Sequence, residues 1–272
     1  MRIGIVAPAK TLDRAVAAEV QALAALAFPG VELVIHPQCY LVDGHFAGPD
    51  AARAAAFLEI ANDPTIDAVW FARGGYGSNR ILDAVMPALG PVAARKTYMG
   101  YSDTGFLLGA LYARRVGRPV HGPLVMDMAR STGSATVARA LGWLARTDPA
   151  GLEGGLAGRP SAAFNIAILS ALAGTQWMPD LTDHVLLIED VSEPLYRIDR
   201  MLFQIANATQ LKGIAGIRLG RISDVQPNDP PWTEPLETMM TRWCRDLGVP
   251  LLAPADIGHD ADNKIVPFGM IA

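Results

Sequence analysis

Ile3–Ala7, Val31–Ile35, Asp67–Ala72 and Thr97–Gly100 are short apolar runs, and the segments between them have room for a helix. That alternation constrains the fold more than any other feature. Parallel strands cannot be joined by a tight hairpin, so strand, helix, strand units imply a mostly parallel sheet with helices on both faces. Functional loops in such folds gather at the carboxyl ends of the strands. The helical stretches are Asp13–Ala27, Asp50–Ala61, Arg80–Met86 and Thr104–Arg115, with a further one at Ala135–Ala145. Thr147–Pro160 is rich in Gly and Pro without periodicity, which places a linker at 147–160 between domains at 1–146 and 161–272. Beyond it the pattern predicts helices at Ala162–Ala173, Tyr196–Ala206 and Trp232–Leu247, and strands at His184–Ile188, Gly213–Ile222 and Pro250–Leu252. The expected fold is α/β, with a flavodoxin-like or Rossmann-like N-terminal sheet domain and a smaller C-terminal α/β domain.

Composition narrows the partners. A hydrophobic fraction of 51% over 272 residues suffices for a substantial core, and 27 acidic against 23 basic residues leave a charge of −4 without a basic run. Nucleic acid and membrane surfaces are therefore not expected, and a small molecule or peptide fits better. Cys39 and Cys244 lie far apart, so no C-x-x-C spacing or disulfide framework is present. The apolar start at Ile3–Ala7 is too short for a signal peptide, and no run approaches the roughly 20 residues needed to span a bilayer. A cytoplasmic protein is the expectation.

Two glycine-bearing turns fall at the same sheet edge. Gly100-Tyr101-Ser102-Asp103-Thr104-Gly105 joins a strand to a helix, so Ser102 is either a nucleophile raised above the sheet or a helix cap. Arg73-Gly74-Gly75-Tyr76-Gly77-Ser78-Asn79 is the other. It lacks the pattern of a dinucleotide fingerprint or a P-loop, yet offers backbone N–H groups for an oxyanion or carboxylate, or is a structural turn. Arg73 beside it is a carboxylate ligand or an ion-pair partner. Glu189 closes the apolar run Val185–Ile188, where a carboxylate must be paired or face a cleft; it is an orienting acid or a partner of Arg197 or Arg200. His259 lies in a loop and can be a base, a ligand or exposed. His36 and His184 flank strands, His45 sits in a turn, and His121 shares the edge of Ser102. No metal-ligand spacing is present.

Ile3–Pro8, Ala72–Arg80, Gly100–Asp103, His121-Gly122-Pro123, Glu189–Arg200 and Gly258-His259 together resemble the LD-carboxypeptidase family of cytoplasmic serine peptidases, which includes the microcin C immunity proteins. The resemblance runs in order over nearly the whole chain. It implies a triad of Ser102, Glu189 and His259 and an oxyanion hole from the backbone N–H groups of Asp103 and Gly75. By their position in the turn, Gly74, Arg73 and Tyr76 are candidate substrate contacts. The resemblance further implies no metal or organic cofactor, a homodimer, and removal of the terminal D-Ala from a murein tetrapeptide. The alternatives are hydrolysis of a peptidyl-nucleotide toxin, and a non-catalytic module that holds a carboxylate or phosphate. Two departures stand out. Ala163-Phe164-Asn165 replaces the usual Gly-Gly-Asn, and the chain ends at Ala272 where relatives continue into a final strand, which predicts a less firmly held His259 loop.

Overall fold

The computed structural model describes residues 1–156 and 158–269. Strands β1 (Arg2–Val6), β2 (Glu32–Ile35), β3 (Ala68–Phe71), β4 (Thr97–Gly100) and β5 (Arg118–His121) alternate with helices α1 (Arg14–Ala27), α2 (Asp50–Asn62), α3 (Leu82–Val85) and α4 (Gly105–Ala113), and α5 (Gly133–Arg146) follows β5. A second group holds β6 (Ser161–Asn165), α6 (Ile166–Leu172), β7 (Val185–Val191), α7 (Leu195–Asn207), β8 (Gly216–Ser223), α8 (Leu236–Leu247) and β9 (Val266–Pro267). The first sheet has the order β2-β1-β3-β4-β5-β9 and the second β6-β7-β8. All pairs are parallel except β5 with β9, which is antiparallel. The order 2-1-3-4-5 is the flavodoxin-like one, with its switch point between β1 and β3.

The apolar runs become strands because both faces of the first sheet are covered. Ile3, Ile5, Ala68 and Trp70 face a layer made with α1 and α5, and Val69, Phe71 and Tyr98 face α2, α3 and α4. Helix α4 is buried from Gly105 to Leu111 because α6 lies on its other side. Close approach there depends on missing side chains: a Cβ on Gly109 would come 3.0 Å from Leu172, and one on Gly105 would come 3.2 Å from Ile168. The first unit thus shares a continuous core with Phe164, Ile166 and Leu169 of the second.

Four local expectations need correction. Ala162–Ala173 is not one helix, since Ser161–Asn165 is a strand paired in register with Val185–Glu189. All five of its residues are buried, and a short buried run of small residues has no period that tells strand from helix. The side chain of Asn165 then accepts from Ile168 N at 3.2 Å and starts α6. Arg80–Met86 is broken into a 3₁₀ turn at Ser78–Ile81, the single turn of α3, and another 3₁₀ turn at Met86–Ala88. Helix α8 begins only after Pro235, and of Pro250–Leu252 only a bridge from Leu251 to Ile217 forms. The reading of a shortened C-terminus rests on residues beyond Gly269, outside the described ones; within them Val266 and Pro267 pair with His121 and Val120.

The 147–160 segment is anchored by one buried ion pair. Arg218 Nη1 and Nη2 donate to Glu153 Oε2 and Oε1 at 2.6 and 2.8 Å, and the guanidinium also reaches the carbonyls of Gly154, Ala253 and Pro254. Side-chain exposures of 10% and 2% make each charge depend on the other. Glu153→Ala should therefore lower stability by about 3–5 kcal/mol, the cost of leaving a buried charge without its partner, read as a fall in the urea midpoint.

Candidate active site

Ser102 stands at the tip of the turn from β4 into α4, with φ +59°. This left-handed conformation costs about 1–2 kcal/mol in a residue with a Cβ. The Ser102 hydroxyl donates to His259 Nε2 at 2.9 Å rather than accepting from a helix N–H. His259 Nδ1 in turn donates to Glu189 Oε2 at 2.6 Å. The structure thus brings together in one line three side chains from distant parts of the sequence. Glu189 pairs with neither Arg197, which bonds Glu193, nor Arg200, which lies over the Tyr196 ring.

Glu189 is completely buried within β7, which continues to Val191 rather than ending at Ile188. The register with β8 slips there: Ile188 faces Leu219 while Asp190 faces Ile222, so Gly220 and Arg221 both lie opposite Glu189. A bulge of this kind re-aims a side chain. It requires Gly220, whose Cβ would fall 2.6 Å from the Ile257 carbonyl oxygen and 3.2 Å from Glu189 Cβ. Asp190 points the other way, accepting from Asn165 Nδ2, Ala167 N and Val191 N. Burial pushes its carboxyl up to about 6, the neighbouring Glu189 adding to the effect against those hydrogen bonds.

Burial works to lower the pKa of His259. The charge and hydrogen bond of Glu189, with smaller contributions from Asp190 and Asp127, outweigh it and raise the imidazole above its ordinary 6.5. The ring is tilted against Tyr101 at 4.9 Å between centroids, and Tyr101 is held by its hydroxyl donating to Asp127 Oδ1 at 3.1 Å. His121 does not reach Ser102. It is buried behind Tyr101, 2.9 Å from Asn263 Oδ1, and burial lowers its pKa. His36 and His184 are tied to Glu59 and Tyr112, and His45 is exposed.

The two glycine turns are bolted together by the side chain of Asp103, a role the sequence did not suggest. Its carboxylate accepts from Gly77 N at 3.1 Å and Ser78 N at 2.9 Å, while Ser78 Oγ donates to the Asp103 carbonyl. Gly74 is pressed against Ser102, since a Cβ there would sit 3.1 Å from Oγ. Gly75 and Gly77 have φ of +119° and +128°, which a side chain would strain. Tyr76 is exposed and leans on Phe46 and His45. Arg73 donates to the Thr11 carbonyl at 3.4 Å. Among the described residues no group of three or more His, Cys, Asp or Glu side chains is placed to hold a metal ion, and no helix is long and apolar enough to cross a membrane.

The loop carrying His259 is pinned to β8 by Arg221. Its guanidinium bonds both Asp260 and Asp256, and its backbone N donates to the Ile257 carbonyl at 2.9 Å. Arg139 adds bonds to the carbonyls of Ala261 and Asn263 at 3.0 and 2.9 Å. The arrangement can withdraw a proton from Ser102 onto an imidazole whose charge a buried carboxylate supports.

Known proteins resemble the chain over most of its length. The family model for the LD-carboxypeptidase N-terminal domain matches residues 3–122, and that for the C-terminal domain matches 162–272. A putative carboxypeptidase of Synechocystis is 34% identical over 249 residues, covering 88% of this chain and 80% of the relative. The murein tetrapeptide carboxypeptidase of Pseudomonas aeruginosa is 29% identical, covering 84% of this chain and 78% of its own. Among solved structures, the muramoyltetrapeptide carboxypeptidase of Oxalobacter formigenes superposes with a TM-score of 0.78 at 25% identity, covering 98% of this chain and 93% of that one. The microcin C7 self-immunity protein in complex with aspartyl sulfamoyl adenosine shares the fold at 20% identity, with a TM-score of 0.75 and coverage of 99% and 96%.

If Arg221 fixes the imidazole, Arg221→Gln should slow labelling of Ser102 by a serine-directed phosphonate by up to about 10²-fold, the cost of a misplacement near 1 Å. The urea midpoint should move little, because the pair is partly exposed.

Proposed function

The chain belongs to the LD-carboxypeptidase family and is a serine-type carboxypeptidase, and from that premise we propose that it removes the terminal D-Ala of a murein tetrapeptide through Ser102, His259 and Glu189. The observation that carries this reading is the unbroken line from Ser102 Oγ to His259 at 2.9 Å and on to Glu189 at 2.6 Å. His259 Nε2 takes the Ser102 proton as Oγ attacks the carbonyl carbon before D-Ala. Glu189 keeps the proton on Nδ1, so Nε2 is the basic nitrogen, and it stabilises the imidazolium. The Asp103 and Gly75 amides are the proposed donors to the oxyanion, each of a kind worth about 3 kcal/mol in a water-poor site. His259 then protonates the leaving amine of D-Ala. Water, deprotonated by the same nitrogen, hydrolyses the Ser102 ester and restores the hydroxyl. No step calls for a metal or an organic cofactor.

The reading includes a cytoplasmic homodimer, as the sequence resemblance implies. A peptidyl-nucleotide is the second substrate reading. The exposed Tyr76, grouped with Phe46 and His45 beside the Gly75 turn, is an aromatic surface on which a nucleobase can stack. A non-catalytic anion-binding module is disfavoured by the bond from the Ser102 hydroxyl to His259.

Release of D-Ala from a murein tetrapeptide, with chelator present and an all-L tetrapeptide as control, tests the proposal. The tetrapeptide should be cleaved, the all-L peptide spared, and Ser102→Ala should reduce the rate by roughly 10³-fold or more. Cleavage of a peptidyl-nucleotide in place of the tetrapeptide would select the second reading.

The raised pKa of His259 sets the sign of the pH dependence. The base works neutral, so kcat/KM should rise with pH through a value above 6.5 and level off beyond it. Glu189→Gln removes the charge that raises this pKa, so the acid limb should move to lower pH. The rate should also fall by about 10⁴-fold, because the amide no longer enforces the tautomer.

A further inference from the structure

Helix α1 packs on one face of the large sheet and α3 on the other, so the chain segments leaving β1 and β3 diverge. The crevice opened between the carboxyl ends of two such strands is where sheets of this order take ligands. Lys10 follows β1 and Arg73 follows β3. The stem of Lys10 lies across Gly75, whose Cβ would meet Lys10 Cγ and Cδ at 2.7 Å. Gly74, next in the turn, is the residue pressed against Ser102 Oγ. Ser102, Gly74, Gly75 and Lys10 therefore succeed one another along the strand ends from β4 to β1.

Both cations are half-buried and uncommitted. Among the described residues neither Lys10 nor Arg73 has a carboxylate partner, and the bond of Arg73 to the Thr11 carbonyl is long at 3.4 Å. The neighbouring basic groups differ, since Arg53 and Arg80 are paired with Asp50 and Arg130 with Asp127. The acidic groups around Ser102, namely Glu189, Asp190, Asp127 and Asp103, would repel an anionic peptide end that found no cation.

We propose that Lys10 and Arg73 bind the free C-terminal carboxylate of the substrate peptide and so confine hydrolysis to its last bond. The proposal deepens, and rests on, the reading of Ser102 as nucleophile. The dimensions agree. At ~4.8 Å per strand, β1 lies about 10 Å from β4, a gap that a lysine side chain and a one-residue leaving group of ~3.8 Å span together. The Arg73 fork can grip both carboxylate oxygens, and Lys10 adds a mobile point charge.

Binding and turnover separate this inference from its premise. On the Ser102→Ala protein, affinities for the tetrapeptide and for its C-terminal amide are measured by calorimetry, in that background alone and with Lys10→Met, Arg73→Gln or Arg80→Gln added. The free acid should bind more tightly than the amide, and Lys10→Met or Arg73→Gln should each cost it about ten- to a hundredfold, as expected for a lost charge-assisted bond, while leaving the amide unchanged. Arg80→Gln should alter neither. In proteins retaining Ser102 the same two changes should raise KM for D-Ala release more than they lower kcat. Equal affinity for acid and amide, or a preference that survives both substitutions, would overturn the carboxylate site while leaving D-Ala release intact. Preserved preference without D-Ala release would instead remove the catalytic reading and keep the site. Binding of neither peptide would remove both.

Discussion

Glu189 carries a carboxylate into a position with no solvent contact, and the hydrogen bond from His259 is what makes that burial tolerable. Much of the surrounding structure serves that one bond. The bulge at Gly220 turns Glu189 toward it, the Arg221 clamp delivers the His259 loop, and Tyr101 closes the far face of the imidazole. Because Glu189 lies in the central strand of the second sheet and His259 in a loop pinned to β8, while Ser102 rises from the first sheet, the alignment is only as good as the packing between the two units.

That packing is apolar and close. Helix α4 leaves the Ser102 turn and is enclosed between the large sheet and α6, with Gly105 and Gly109 letting the two helices approach. Any rotation of one unit against the other would have to open this core, where even one lost methylene is felt. A strained serine needs such support. Its positive φ is maintained because Asp103, one residue on, is held by the amides of Gly77 and Ser78, and because the Thr104 hydroxyl bonds the Tyr101 carbonyl. The same Asp103 bonds tie the turn that carries Gly74 and Gly75 to the Ser102 turn at Gly77 and Ser78.

The charges are arranged to match. Carboxylates collect beneath Ser102, where they raise the pKa of His259 above its ordinary value. Lys10 and Arg73, without a carboxylate partner among the described residues, stand to the side, beyond Gly75, at the switch point of the sheet. A negative floor and a positive flank suit a reaction in which an imidazolium forms at one end of a peptide bond and a carboxylate lies at the other.

The sequence alone determined the alternation that makes the large sheet, because buried parallel strands leave apolar runs that local reading detects. It also supplied Ser102 and the glycine turns, whose residue types mark a sharp strand-to-helix passage. The sequence pattern puts Ala162–Asn165 at the start of a helix, whereas these residues are strand, because that identity lies in pairing with Leu186–Glu189, more than twenty residues on. Glu189 and His259 could each be shortlisted by residue type and placed in one site by family resemblance. Which of their alternative partners they take was decided by tertiary structure: a bulge, a clamp through Arg221 and a shared core bring them to Ser102. The bracing by Asp103, Tyr101 and Arg221, and the lack of a carboxylate partner for Lys10 and Arg73 among the described residues, were equally invisible, because a polar side chain carries no local signal of what it will meet once the chain has closed on itself.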